Sequence, residues 1–239
     1  MSALTVREVD GLAELGLACA DEIIRICAAR QGQGEVPCIA LTGGRAGAAV
    51  LSSLGERAAA SDVDWARVRF IWGDERWLPA GDAERNDLMA DTSLFASATV
   101  DPALVHRVAS SDAGLSVDEA AAQYAATIAE ITHVDVSLCG VGEDGHVASL
   151  FPGRDDLLVD AVGTPDAIAV RDSPKPPAER VSLSLPALRR AERVWLLACG
   201  AGKAEAIADL RARREPLVPA ALVSGRTETV LWADAAALG

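Results

Sequence analysis

The chain's 239 residues suit one large α/β domain or two small ones and can bury a sizeable core. The balance of 22 basic against 35 acidic residues, a formal net charge of -13, excludes a basic stripe for nucleic acid, and no apolar run reaches the length of a membrane span. Five scattered cysteines (Cys19, Cys27, Cys38, Cys139, Cys199) without a CxxC pair, and an N-terminal stretch with early acidic residues and no apolar signal segment, lead us to expect a reduced protein of the cytoplasm.

In chain order, residues 9–30 place Leu12, Leu15, Cys19, Ile23 and Ile26 on one stripe, which predicts a helix. VPCIALT (36–42) reads as a short buried strand ending in a glycine pair, followed by an Ala/Leu-rich helix over 47–60. VRFIWG (68–73) reads as a second buried strand ending in a charged loop, DER. NDLMADTSLFA (86–96) is a helix that Asn86 can cap, and 117–131 is another. VDVSLCGVG (134–142) is a strand that gives way to the loop EDGHVASLFPG. Short strands are expected near 157–162 and 167–171, a Pro-rich loop over 173–180, and a segment turning helical after Pro186. ERVWLLACG (192–200) is a strand, 202–213 its helix, and ETVLWAD (228–234) the last strand. Strands alternating with helices imply a single α/β domain over 1–239, with a mostly parallel sheet covered on both faces.

The polar and glycine-rich segments TGGRAG, GDER, GEDGH and GAGK each follow a predicted strand, so an open sheet would gather them at one crevice. The glycine pair of TGGRAG, ahead of a helix, suits an anion, although a tight turn without ligand accounts for it equally well. Only two of the basic residues are lysines, Lys175 and Lys203. Lys203 at a helix start opposes the helix dipole, which makes sense if an anion lies between them; otherwise it is a loop lysine in solvent. His146, beside Glu143 and Asp144, is placed for a general base whose tautomer a carboxylate fixes. His106 and His133 show no acidic partner in an obvious geometry. In GDER, Arg76 can meet a substrate phosphate or oxyanion with Asp74 ordering it or a water; a salt-bridged turn is the alternative. Absent HxxxH, HExxH, paired cysteines and GxSxG, we expect neither a metal site nor a serine nucleophile.

FIWGDERWLP, ERNDLMA, DVSLCGVGEDGHVASLFPG, SPKPPAERVSLSLPAL and WLLACGAGKAEAI, in that order across roughly 40–210, resemble the glucosamine-6-phosphate isomerase/6-phosphogluconolactonase family on its lactonase side. The resemblance implies a Rossmann-like fold, similar to that of glucosamine-6-phosphate deaminase and ribose-5-phosphate isomerase. It also implies cofactor-free hydrolysis of 6-phospho-D-glucono-1,5-lactone in the oxidative pentose phosphate pathway. It assigns the base to His146, with Asp144 before it in the motif. Arg76 falls among the substrate-binding residues, Gly43, Gly44 and Lys203 belong to the phosphate site, and Arg180 is a further phosphate or substrate contact. The family's usual SGGSTP loop reads TGGRAG here, so Thr42 and Arg45 stand where hydroxyls are customary. Arg45 replaces those contacts with a cation or points to solvent, and Lys175 is left without a role. The mechanism expected is direct attack of water, with oxyanion donors from Arg76 or the backbone of 142–146. The expected partner is a small phosphosugar lactone, with no nucleic acid or membrane, and the chain is expected to act as a monomer. Two rivals remain, a deaminase or isomerase of the same fold and a non-catalytic sugar-phosphate sensor.

Overall fold

A run of apolar residues long enough for one strand and apolar on both sides needs cover on both faces, and the core strands have it. The structure, a computed structural model, describes residues 2–239. Its strands are β1 (Leu4–Val9), β2 (Cys38–Leu41), β3 (Arg69–Trp72), β4 (Asp74–Arg76), β5 (Val136–Gly140), β6 (Ala167–Val170), β7 (Arg180–Leu183), β8 (Arg193–Ala198) and β9 (Glu228–Asp234). Six form one sheet in the order β1-β9-β8-β5-β2-β3, with every neighbouring pair parallel. The other three form an antiparallel sheet, β4-β7-β6.

Alternation along the strands sorts the buried side chains onto two faces. Ile39, Leu41, Val136, Leu138, Trp195 and Leu197 pack with Leu15, Ile23, Val50 and Leu54 of helices α1 (Leu12–Gly32) and α2 (Gly44–Ala58). Cys38, Ala40, Cys139, Leu196 and Ala198 face the opposite way. They meet the small sheet and the later helices, through Val181, Leu183, Tyr124 and Ile207. Each large aliphatic side chain so enclosed contributes about 1.5–3 kcal/mol.

The remaining helices are short or amphipathic: α3 (Asn86–Thr92), α4 (Leu94–Ser97), α5 (Val117–Ala129), α6 (Leu185–Leu188), α7 (Ala204–Ala212), α8 (Pro219–Leu222) and α9 (Ala235–Leu238). Helix α5 starts on a Ser116/Glu119 capping box. Its Tyr124 hydroxyl accepts from Trp72 N at 2.7 Å and donates to Trp72 O at 2.8 Å, fixing the end of β3 where GDER begins.

Several expectations need correction. No strand forms at 157–162, where turns give way to irregular chain. Strand β1 was not foreseen. DER is strand β4 of the second sheet rather than a loop, and the helix of 86–96 breaks at Ser93 into α3 and α4. Asn86 does not cap α3. It is the first helical residue, and Glu75 caps instead, its carboxylate accepting from Asn86 N (2.7 Å) and Asp87 N (2.8 Å).

Candidate active site

The carboxyl ends of β2, β5 and β8 open, with β4 and β7, onto a cavity of about 560 Å³. Thr42, Gly43, Gly44, Arg45, Asp74, Arg76, His146, Arg180 and Lys203 all line it, and Asp144 joins them through a bond to His146. Both lysines of the chain line this one cavity.

The wall begins at Thr42, whose Oγ1 accepts from Gly140 N at 3.3 Å and ties the end of β2 to the end of β5. Gly43 precedes α2, and Gly44 takes a φ of 72°, which lets the chain turn into that helix with its N–H groups toward the cavity end. A Cβ on Gly43 would stand 1.9 Å from Asn86 Oδ1, so the glycine also admits that side chain. Arg45, in the first turn of α2, is exposed and lines the cavity.

On the loop after β5, His146 Nδ1 lies 2.5 Å from Asp144 Oδ1, and the ring packs on Phe151 with centroids 4.8 Å apart. His146 Nε2 has no hydrogen-bond partner among the described residues and belongs to a ring lining the cavity. Gly142 makes this pair possible, because a Cβ there would stand 2.0 Å from His146 Nδ1 and 2.5 Å from Asp144 Oδ1. Burial alone would raise the Asp144 carboxyl, but the bond and charge of His146 and the charge of Lys175 outweigh it, holding it well below the usual range.

Lys203 sits on a short 3-10 turn ahead of α7, half-buried. Burial pushes its ammonium down from the ordinary lysine value and the charges of Lys175 and Arg45 push the same way, with Glu143 and Asp144 opposing. A cation held near other cations gains most from a bound anion. Lys175 comes from the SPKPP loop, its Nζ 3.4 Å from Asp144 Oδ1.

One expected pairing does not form. Asp74 does not order Arg76. It is buried, accepts from Ser149 Oγ at 2.7 Å and lies 3.9 Å from Arg180 Nη1. Arg76 instead donates to Glu84 O, and its Nε is buried without a partner. Arg180 donates through Nε and Nη2 to the carbonyls of Lys175 (2.9 Å), Pro176 (3.0 Å) and Pro177 (3.2 Å), while its Nη1 makes no hydrogen bond among the described residues and the side chain lines the cavity. The backbone amides of Gly142 and Gly145 bond within their own loop and that of His146 reaches Asp144 at 3.4 Å, whereas those of Glu143 and Asp144 have no hydrogen-bond partner among the described residues, so these two amides and Arg76 remain of the donors expected.

Two lining residues escaped the sequence reading. Asn86 was read only as a cap, yet its amide donates to Asp74 O at 2.9 Å and lines the cavity; its place in the ERND block was the available signal. Asp234 ends β9 and accepts from Gly200 N at 2.9 and 3.0 Å, shaping the turn before Lys203; nothing in its local pattern marks it. Among the described residues no three His, Cys, Asp or Glu side chains are grouped to hold a metal ion, and no helix is long and apolar enough to cross a membrane.

An open, parallel α/β sheet with an anion-suited crevice at its carboxyl edge defines the general class, a Rossmann-like small-molecule protein. Residues 11–232 match the model of the family described as glucosamine-6-phosphate isomerases/6-phosphogluconolactonase, and the chain belongs to that family. It is 43% identical over 232 residues to a 6-phosphogluconolactonase of Streptomyces coelicolor, covering 92% of this chain and 87% of that one. The solved 6-phosphogluconolactonase of Leishmania guyanensis superposes with a TM-score of 0.85 at 26% identity, covering 99% of this chain and 98% of the other. A monomeric glucosamine-6-phosphate deaminase shares the fold at a TM-score of 0.81 and 15% identity, covering 99% of each chain.

Proposed function

We propose that this chain hydrolyses 6-phospho-D-glucono-1,5-lactone to 6-phosphogluconate, the lactonase step of the oxidative pentose phosphate pathway. The observation that carries the reading is the placement of a carboxylate-bound imidazole in the same cavity as Gly43, Gly44 and Lys203. The similarity to curated 6-phosphogluconolactonases supports the choice of substrate.

The phosphate binds at the Gly43–Gly44 turn with Lys203 and Arg45, and this anchor spends remote binding energy on orienting the lactone carbonyl. Asp144 fixes the proton on His146 Nδ1, so Nε2 is free to take a proton from water as the water oxygen bonds to C1. Arg76 faces the oxyanion, where one well-placed donor is worth about 3 kcal/mol. The C1–ring oxygen bond then breaks, and the imidazolium returns its proton to that oxygen, which leaves as the C5 hydroxyl. No cofactor and no covalent enzyme intermediate take part. The free cysteines, four of them buried, support a cytoplasmic setting.

The test is the rate at which the phosphorylated lactone disappears over the buffer rate, with the non-phosphorylated lactone as control. Acceleration confined to the phosphorylated compound is expected. Ammonia released from glucosamine 6-phosphate in place of lactone hydrolysis would instead make the chain a deaminase, and binding without turnover of either would make it a sensor.

A further inference from the structure

The SPKPP loop is braced far more heavily than a surface loop requires. Ser173 Oγ donates to Lys175 O at 2.8 Å and accepts from Lys175 N at 3.3 Å, while Ser173 N donates to Ala178 O at 3.0 Å. From beneath, the 5% exposed Arg180 gathers the carbonyls of residues 175, 176 and 177. A buried guanidinium committed to three consecutive carbonyls fixes the backbone of one segment, and the side chain this segment delivers to the cavity is Lys175. Its ammonium stands 3.4 Å from Asp144 Oδ1, the same oxygen that His146 Nδ1 meets at 2.5 Å.

We propose that Lys175 is a positioning residue for the lactonase reaction, acting through Asp144: by sharing the oxygen that holds the imidazole, it keeps His146 unprotonated, and so able to act as base, at lower pH. The inference rests on the activity proposed above. A positive charge beside the His–Asp pair opposes a second positive charge on the imidazole, and an ammonium drawing on Oδ1 leaves less of that oxygen for an imidazolium N–H. The other charged groups that line this cavity or bond to the ring are Glu143 and Asp144 on its own loop, Lys203 ahead of α7, Arg45 on α2, Arg180 on β7, Asp74 and Arg76 on β4, and Asp234 at the end of β9. Of these only Asp144 bonds to the ring, and Lys175 is the cation bonded to Asp144. The alternative role for a lysine here is a second phosphate ligand, which would act on substrate binding at every pH.

The experiment compares wild type, Lys175→Met and Lys175→Arg by the pH profile of kcat/KM on 6-phosphogluconolactone and by NMR titration of the His146 imidazole, assigned by difference from His146→Ala. In Lys175→Met the acidic limb and the imidazole midpoint should both move up by roughly half to one pH unit, since Lys175 is partly solvated and its charge is screened. That makes a deficit of roughly three- to tenfold at the acid end, within about twofold of wild type at the alkaline end, with KM little changed. Lys175→Arg should return the limb toward wild type. Should Met disturb the loop, Lys175→Gln serves in its place. A raised KM with an unmoved limb would make Lys175 a phosphate ligand and overturn the inference, as would a wild-type profile and titration. A wild type that is active and dependent on His146, with Lys175→Met indistinguishable from it, refutes this inference alone. A wild type without lactonase activity refutes the parent reading as well, and the NMR titration still shows whether Lys175 bears on the imidazole.

Discussion

The two ends of strand β5 each carry a histidine bonded to an aspartate two residues away, and the two pairs are built for different ends. Before the strand, His133 Nε2 lies 3.0 Å from Asp135 Oδ1, with His133 Nδ1 4.0 Å from Glu192. Asp135 is 1% exposed and already engaged: its Oδ2 accepts from Cys38 N at 2.8 Å and its Oδ1 pairs with Arg30 Nε at 2.9 Å. That pair clasps α1, β2 and β5 together, and the hollow beside it mixes Arg25, Arg30 and Arg193 with Asp135 and Glu192. After the strand, Asp144 is half-buried, His146 keeps one nitrogen unbonded, and glycines and lysines surround the pair. A His–carboxylate contact is therefore no site in itself. What separates the two ends is an unspent nitrogen facing a cavity with a surplus of cations.

The largest effect that sharpens this contrast is expected at His146. His146→Ala should lower kcat/KM by roughly 10²- to 10⁴-fold with an unchanged urea midpoint. At the other end the loss should fall on stability. Asp135→Ala leaves the Cys38 amide without its acceptor and Arg30 with Glu35 alone, and should cost about 2 kcal/mol in urea unfolding, with turnover per folded molecule retained. A catalytic loss without destabilisation in Asp135→Ala would break the contrast.

Next in size is a pH effect at Glu75, which lies behind the site. Burial, the dominant influence, pushes its carboxyl up from 4.5 to about 7, against the pull of the Asn86 amide. A carboxyl raised on folding stabilises the protein fully below its unfolded value and loses that contribution as pH climbs through the folded one. Wild-type stability should thus fall by about 2 kcal/mol between roughly pH 4.5 and 7, and Glu75→Gln should remove most of that slope in urea titrations at several pH values. The smallest effect is expected of His133→Ala, whose kcat/KM should stay within about twofold of wild type, because its ring is bonded away from the cavity.

Much of the fold was legible because the central strands are buried on both faces and spell continuous apolar runs ending in glycine. Strand β1 lacked that signature. It lies at the sheet edge with only Val9 buried, so Leu4, Val6 and their polar neighbours show no inward face. The apolar letters at 157–162 misled for the opposite reason: Leu157 is buried, but Val159 and Val162 are exposed, leaving no row to pair. Within the site, the four strand-end segments converged as expected, while the pairing of Asp74 with Arg76 did not form. Asp74 is instead held by Ser149 with Arg180 alongside, and Arg76 donates to Glu84 O, partners brought in by the tertiary fold rather than by any local pattern. His133 and Asp135 likewise looked unrelated by sequence, because their contact depends on a bend before β5 that no local pattern announces.

The account stands on one cavity holding both a phosphate anchor and a base. The most direct measurement is the ratio of kcat/KM for 6-phosphogluconolactone to that for the non-phosphorylated lactone, in wild type and in Lys203→Met. Wild type should strongly prefer the phosphorylated substrate, and Lys203→Met should lose roughly tenfold or more on that substrate alone, mainly through KM. Equal losses on both lactones, or a preference untouched by the substitution, would contradict it.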